Sequence, residues 1–363
     1  MSKERLWRQL QAGIDILLRP DKVPHLPYYL VIGTTTACPL HCIMCTREAV
    51  IEKADFLPFD KYKELIDLMR PLQVSIGDLG ESLFDPDLDK KIRYAKDHGA
   101  NVDVVTSYVI SKFSPETLIE TGLDTLKVSI DSPDPDNYAH IRGQPYFEKA
   151  LSNTRALIAA RQARGSRTPA VRLQFVIQKD NYQEMVEYVN LAADLGVDAI
   201  DFKPLLLDVE LEDRELLVGP MTAEIVHQQV IAAEKLARQF GIRTNAPVLT
   251  RNDLAHHWAI YNGALSSTRI LKRCTLPWYS TYIAADGTVY GCCILRFRND
   301  QILGNIYEED FRAIWNGEAY QAFRHKMRHG HSTFRGCYSC YPSSVFDTFK
   351  YLSTTAKLQF KRR

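Results

Sequence analysis

Eight cysteines are the residues of this 363-residue chain best suited to chemistry, and they fall in two groups. The first lies in the run Thr36-Ala37-Cys38-Pro39-Leu40-His41-Cys42-Ile43-Met44-Cys45. Its C-x3-C-x2-C spacing packs three thiols closely enough to converge on one centre. Thiolate is the ligand that iron–sulfur clusters favour. Three ligands leave one iron of a cubane open to a substrate or cofactor. Zinc is the alternative, but it normally takes a fourth ligand. His41, beside Cys42, would point away from a shared centre. The second group is Cys274, Cys292, Cys293, Cys337 and Cys340, ending in a C-x2-C knuckle. Four thiolates suffice for a fully ligated cluster or, on bare chemistry, for structural zinc. Clustering of this kind reads as ligand sets, and a reducing compartment disfavours structural disulfides.

The hydrophobic pattern supplies a scaffold for these residues. Strand patterns fall over 29–33, 72–76, 102–106, 126–130, 171–177 and 199–203, with the first cysteine run directly after the first of them. Helix patterns over 58–69, 87–98, 114–121, 146–164 and 183–195 alternate with them. Ser114 and Pro115 form a cap and first turn, and Gly122 a stop. Repeated strand–helix units imply parallel strands with right-handed crossovers. Six such units predict an α/β fold, a partial (β/α)6 TIM-like barrel with its chemistry at the C-terminal strand ends. A flat doubly wound sheet is the alternative that pattern alone leaves open. The expected organisation is an N-terminal helical extension over 1–27, the barrel over 28–207 and a connector with a helix over 208–268. A small α+β domain over 269–345 and a tail over 346–363 follow.

Composition excludes some partners. Lys and Arg total 45 against 44 Asp and Glu, so no basic excess points to nucleic acid. No apolar run reaches the roughly 18 residues needed to span a membrane. Leu6, Trp7, Leu10, Ile14, Leu17 and Leu18 alternate with charges in the pattern of an amphipathic helix, not of a signal peptide. This helix is expected to pack on the domain surface. A cytoplasmic location is expected, a membrane is not an expected partner, and the oligomeric state is left open.

The C-x3-C-x2-C run after the first strand resembles the signature of the radical S-adenosylmethionine (SAM) superfamily. The resemblance implies a [4Fe–4S] cluster on Cys38, Cys42 and Cys45, whose open iron binds SAM and whose electron cleaves it to a 5′-deoxyadenosyl radical. It implies that Met44 contacts adenine. Gly77-Asp78-Leu79-Gly80-Glu81-Ser82 resembles the family's Gly-Gly-Glu-Pro motif, with Leu79 in place of the first glycine, and implies SAM contacts at Gly80 and Glu81. Thr106-Ser107-Tyr108 partly matches a Thr-Asn-Gly segment, making Ser107 a cofactor contact and Tyr108 a residue facing substrate. Ser129, Arg142 and Val176 fall where the family contacts the SAM carboxylate, ribose or adenine.

The region from Cys274 through Asp286-Gly287, Leu303-Gly304-Asn305-Ile306 and Ala313-Ile314-Trp315-Asn316 to Cys340 resembles the SPASM/twitch extension of that superfamily. The shorter twitch form implies one auxiliary [4Fe–4S] cluster on Cys274, Cys292, Cys337 and Cys340. Cys293 is the spare: it replaces Cys292, serves the substrate cavity as acid or base, or is simply buried. The analogy implies an oxidoreductase that dehydrogenates a small polar metabolite such as a sugar or aminocyclitol in a biosynthetic pathway. A flavodoxin or ferredoxin would be the electron donor. Lys203, His256 and His257 are further candidate substrate groups. The rivals are a peptide- or protein-modifying maturase and a non-catalytic iron–sulfur or zinc scaffold.

Overall fold

The computed structural model describes residues 3–205, 223–246, 274–297, 299 and 301–329. Among these residues ten strands form one sheet. Six carry the barrel wall: β1 (Tyr29–Ile32), β2 (Gln73–Ile76), β3 (Asn101–Thr106), β4 (Thr125–Ser129), β5 (Ala170–Ile177) and β6 (Ala199–Pro204). Each pairs in parallel with the next, and a short β7 (Arg243–Thr244) extends the edge beyond β6. The sheet does not close, giving the partial barrel that the alternating pattern predicts.

Helices α3 (Phe59–Met69), α4 (Leu88–Asp97), α5 (Pro115–Glu120), α7 (Phe147–Ala163) and α8 (Met185–Leu195) make the crossovers. Between them stand α1 (Lys3–Leu18), α2 (Arg47–Val50) and α6 (Pro135–Arg142), with α9 (Ala223–Gln239) before β7. The period of two along each strand explains the layering. Leu30, Ile32, Val74, Ile76, Val102, Val104, Leu126, Val128, Leu173, Phe175, Ile200 and Phe202 point one way and are buried. The register sets the alternate residues side by side on the other face: Val31 with Ser75, Ser75 with Asp103, Lys127 with Arg172, and Val176 with Lys203. That inner wall is polar and strongly charged.

The region after Cys274 continues this sheet. Strand β8 (Ser280–Ile283) lies parallel to β1 in the register Tyr29 to Ser280. The Asp286-Gly287 turn then returns the chain as antiparallel β9 (Thr288–Tyr290), followed by α10 (Cys293–Phe297), β10 (Ile302–Asn305), α11 (Phe311–Asn316) and α12 (Glu318–His329). Buried Arg324 ties α12 to the rest. It donates to the Pro277 and Trp315 carbonyls at 2.9 and 2.8 Å and stacks on the rings of Trp315 and Tyr320.

Two local features depart from the sequence pattern. Helix α6 was not foreseen, although its signals are present: Asp134 accepts a hydrogen bond from Asn137 N at 2.8 Å, Pro135 opens the first turn, and Gly143 closes it with φ +70°. Helix α1 lies on the surface but turns its apolar stripe outward, leaving Trp7, Leu17 and Leu18 exposed. Its arginines face the domain instead. Arg8 donates to the carbonyls of Met69 and Arg70, acceptors left unpaired at the end of α3, and Arg5 donates to Gly99 O at 3.0 Å. No helix among the described residues is long and apolar enough to cross a membrane.

Candidate active site

The first cysteine loop leaves β1 at the C-terminal end of the strands and is clamped on three sides. Threonines fix its start: Thr36 N donates to Asp55 O at 3.0 Å, and Thr36 Oγ1 accepts from Asp55 N at 2.8 Å. On one flank Glu81 N donates to Ala37 O at 2.9 Å. Gly80 presses so closely that a Cβ there would lie 2.1 Å from Thr35 O, which explains why glycine is required. On the other flank Ile43 N donates to Ile141 O at 3.0 Å, and a Cβ on Gly143 would lie 2.4 Å from His41 O. Cys38 and Cys42 are half-buried and Cys45 is exposed. Burial pushes the Cys38 thiol up to about 12. His41 does point away from the thiols, pairing with Glu48 in solvent. Met44 packs half-buried against the core beside the loop.

The proposed SAM contacts gather at the neighbouring strand ends. Arg142, at the end of α6, donates to Cys42 Sγ at 3.7 Å and pairs with Asp131 Oδ2 at 2.5 Å. Burial alone would lower the Arg142 pKa, but Asp131 and Cys42 outweigh it and raise it. Asp131 is wholly buried and also accepts from Val176 N at 2.7 Å. Ser129 stands 3.4 Å from Gln174 Oε1 on the inner wall. Arg142 Nε and Gln174 Nε2 are buried donors with no hydrogen-bond partner among the described residues. Such orphaned donors suit a ligand bearing carboxylate and ribose oxygens, so this end of the barrel fits SAM.

Glu81, expected to contact SAM, is also held firmly within the chain. Its carboxylate is buried and already accepts from Leu83 N at 3.1 Å, Ser107 N at 2.7 Å and the hydroxyls of Thr106 and Ser107. Burial pushes its pKa up, and those hydrogen bonds oppose the shift. The carboxylate and Ser107 therefore hold each other, tying the turn after β2 to the end of β3. A ligand ammonium would have to share or displace one of these donors.

Tyr108 does not face the inner wall. Its φ of +56° breaks the strand alternation and sends the ring to the helix side of the sheet. There it lines a cavity of about 270 Å3 with Phe113, Pro115, Lys149 and Asn153. The expected role toward substrate is corrected accordingly. Asp131 and Tyr138 were missed by sequence reasoning. Tyr138 lies on α6 in the field of Arg142 and Cys42, with its hydroxyl buried and without a hydrogen-bond partner among the described residues and its pKa pushed up by burial to about 12. The Asp-Pro start of α6 was the signal that could have found it.

In the second group Cys274, Cys292 and Cys293 are half-buried. Burial raises the Cys293 pKa, and Lys203 across the mouth opposes the shift. Burial and then Lys127 lower the Lys203 pKa, while Asp201 and Cys293 oppose that. Cys274 lies in the field of Cys293. Cys337, Cys340, His256 and His257 lie outside the described residues. Lower on the inner wall Lys127 pairs with Asp103 at 2.6 Å, and Arg172 Nε donates to Asp201 Oδ2 at 2.9 Å. Among the described residues no three His, Cys, Asp or Glu side chains close around a single-ion position.

Comparison with known families decides the assignment. Residues 32–192 match the model of the radical SAM superfamily, and residues 274–341 that of an iron–sulfur cluster-binding domain, SPASM. The chain belongs to the radical SAM superfamily. Its cofactors are a [4Fe–4S] cluster, SAM and auxiliary iron–sulfur centres. Among relatives, the PqqA peptide cyclase of Streptomyces rochei is 31% identical over 186 residues, 50% of this chain and 49% of that protein. The chain thus spans about half the length of that relative. The tungsten-containing aldehyde ferredoxin oxidoreductase cofactor-modifying protein of Pyrococcus furiosus is 22% identical over 347 residues, 90% of each chain. Among solved structures, Streptococcus suis SuiB bound to its precursor peptide SuiA shares the fold. Its TM-score is 0.64 at 14% identity, covering 95% of this chain and 80% of SuiB.

Proposed function

We propose that this radical SAM chain modifies a peptide or protein substrate. The observation that carries the reading is the 31% identity, over 186 residues, to a protein named as a peptide cyclase. The likeness to SuiB, solved with a precursor peptide, supports it. When bound, the reduced cluster and SAM supply a 5′-deoxyadenosyl radical that takes a hydrogen atom from substrate.

The chain's own residues bind, orient and shield these groups. Cys38, Cys42 and Cys45 hold the first cluster. Met44, the backbone at Gly80, Ser129, Arg142 and Val176 contact SAM, while Glu81 and Ser107 fix the turn that presents Gly80. Cys274, Cys337 and Cys340, with Cys292 or Cys293, hold the auxiliary cluster. The charged inner wall and Lys203 orient substrate, and a flavodoxin or ferredoxin supplies electrons. A second reading, dehydrogenation of a small polar metabolite, draws support from that charged wall and from the match along 90% of a cofactor-modifying protein.

Reconstituted protein with dithionite and SAM tests both readings. We expect 5′-deoxyadenosine formation above a Cys42→Ala control, stimulated by a short peptide encoded beside the gene, with a mass change on that peptide. Stimulation only by a peptide-free, low-mass metabolite fraction would favour the second reading. No turnover with either would leave the non-catalytic scaffold.

A further inference from the structure

Asp78 stands between the end of β2 and the Gly80–Glu81 turn, and its side chain is 0% exposed. Arg296, on α10 three residues beyond Cys293, is 1% exposed and grips it with a two-pronged fork. Nε reaches Oδ1 at 3.0 Å, and Nη2 reaches Oδ2 at 3.2 Å. Tyr282 on β8 donates to the same Oδ1 at 2.8 Å and to Gly77 O at 3.2 Å. Burial alone would lower the Arg296 pKa, but Asp78 reverses the shift and raises it. A buried pair of this kind persists only while both partners and their hydrogen bonds are in place.

The contacts run on without a gap. From Asp78 the backbone turns into Gly80, which abuts the Thr35 carbonyl, and then into Glu81, whose N–H holds Ala37 O next to Cys38. In the other direction Arg296 belongs to the same short helix as Cys293. Docking of β8 on β1 does not itself require a buried charge pair, since the backbone ladder already joins those strands.

We infer that the Asp78–Arg296 pair is a latch through which the auxiliary-cluster segment positions the turn at 78–81 against the first cysteine loop. Both are positioning residues; neither is placed on the reacting atoms. The consequence for SAM rests on the reading, given above, that this turn contacts SAM. Coupling between two sites is reciprocal. Loss of the auxiliary site therefore weakens SAM binding through the latch, and SAM binding steadies the segment 292–297.

The test uses full-length reconstituted protein under anaerobic conditions, with two readouts: amide hydrogen exchange over 77–83 and the SAM dissociation constant. Arg296→Met should speed exchange over 77–83 and raise the SAM dissociation constant by about tenfold, with the iron content of the first cluster unchanged. Arg296→Lys, which keeps the charge and loses the fork, should fall between, and it serves if Arg296→Met fails to fold. Cys274→Ala should weaken SAM binding in the parent but add little on top of Arg296→Met. Unchanged exchange in both Arg296 variants, or additive effects of Cys274→Ala and Arg296→Met, overturns the latch. Faster exchange with unchanged SAM affinity overturns instead the reading of this turn as a SAM contact.

Discussion

The first cysteine loop and the described cysteines of the second group sit on neighbouring strands, β1 and β8, yet they are held in different ways. The first loop grows directly out of β1 and is clamped by backbone contacts from the turn after β2 and the end of α6. In the second, the described cysteines Cys274 and Cys292–Cys293 stand at the two ends of the β8–β9 hairpin, which is carried by the pairing of β8 with β1 and by the Arg324 anchor of α12. The difference teaches where each site is vulnerable. The first fails through close backbone contacts, the second through long-range side-chain anchors.

Exchange of single ligands should separate the two groups most strongly. At saturating SAM, Cys42→Ala is expected to abolish 5′-deoxyadenosine formation, and Cys274→Ala to retain it while product formation is lost. Each should lower iron from about eight to about four per chain, read by iron and sulfide analysis. Equal loss of SAM cleavage in both variants would mean that the groups act as one unit.

The scaffolds come next. Lys91 is buried against Asp85 at 2.6 Å and Leu57 O at 2.7 Å, beneath the turn that clamps the first loop. Lys91→Met leaves Asp85 without its buried cation and should cost about 3–5 kcal/mol in urea unfolding. A smaller and more local effect is expected at Gly143, where alanine would meet both the left-handed backbone and the His41 carbonyl. Gly143→Ala should cost about 1–3 kcal/mol and lower iron in the first cluster alone. Loss from the second cluster would break the proposed division. The smallest effect belongs to Tyr108. Tyr108→Phe should leave SAM cleavage and product formation unchanged, because the ring lies on the helix side of the sheet.

Legibility in the sequence followed the range of the interactions. The six barrel strands and their crossover helices were readable to within a residue or two at most ends, because a buried face writes its period into neighbouring residues. The first cysteine loop was readable for the same reason: its chemistry is packed into one short run. Tyr108 misled because a partial motif match does not record the positive φ that turns its ring past the end of β3. Helix α1 packs on the surface as expected, but an apolar stripe does not say which face is buried. Here arginine contacts to carbonyls of the α3 end and of the turns after α3 and α4 settle its orientation.

The sequence by itself determined the six alternating strand–helix units, the cysteine triad after the first strand and the family, and left a flat sheet open beside the partial barrel. Each is carried by patterns a few residues long. Only the tertiary structure decided that Glu81 is a brace for β3, that Asp131 and Tyr138 stand around Arg142, and that Asp78 meets Arg296 across 218 residues of chain. Buried polar groups must find partners wherever the fold brings them. That demand is met across space, and local spacing carries no record of it.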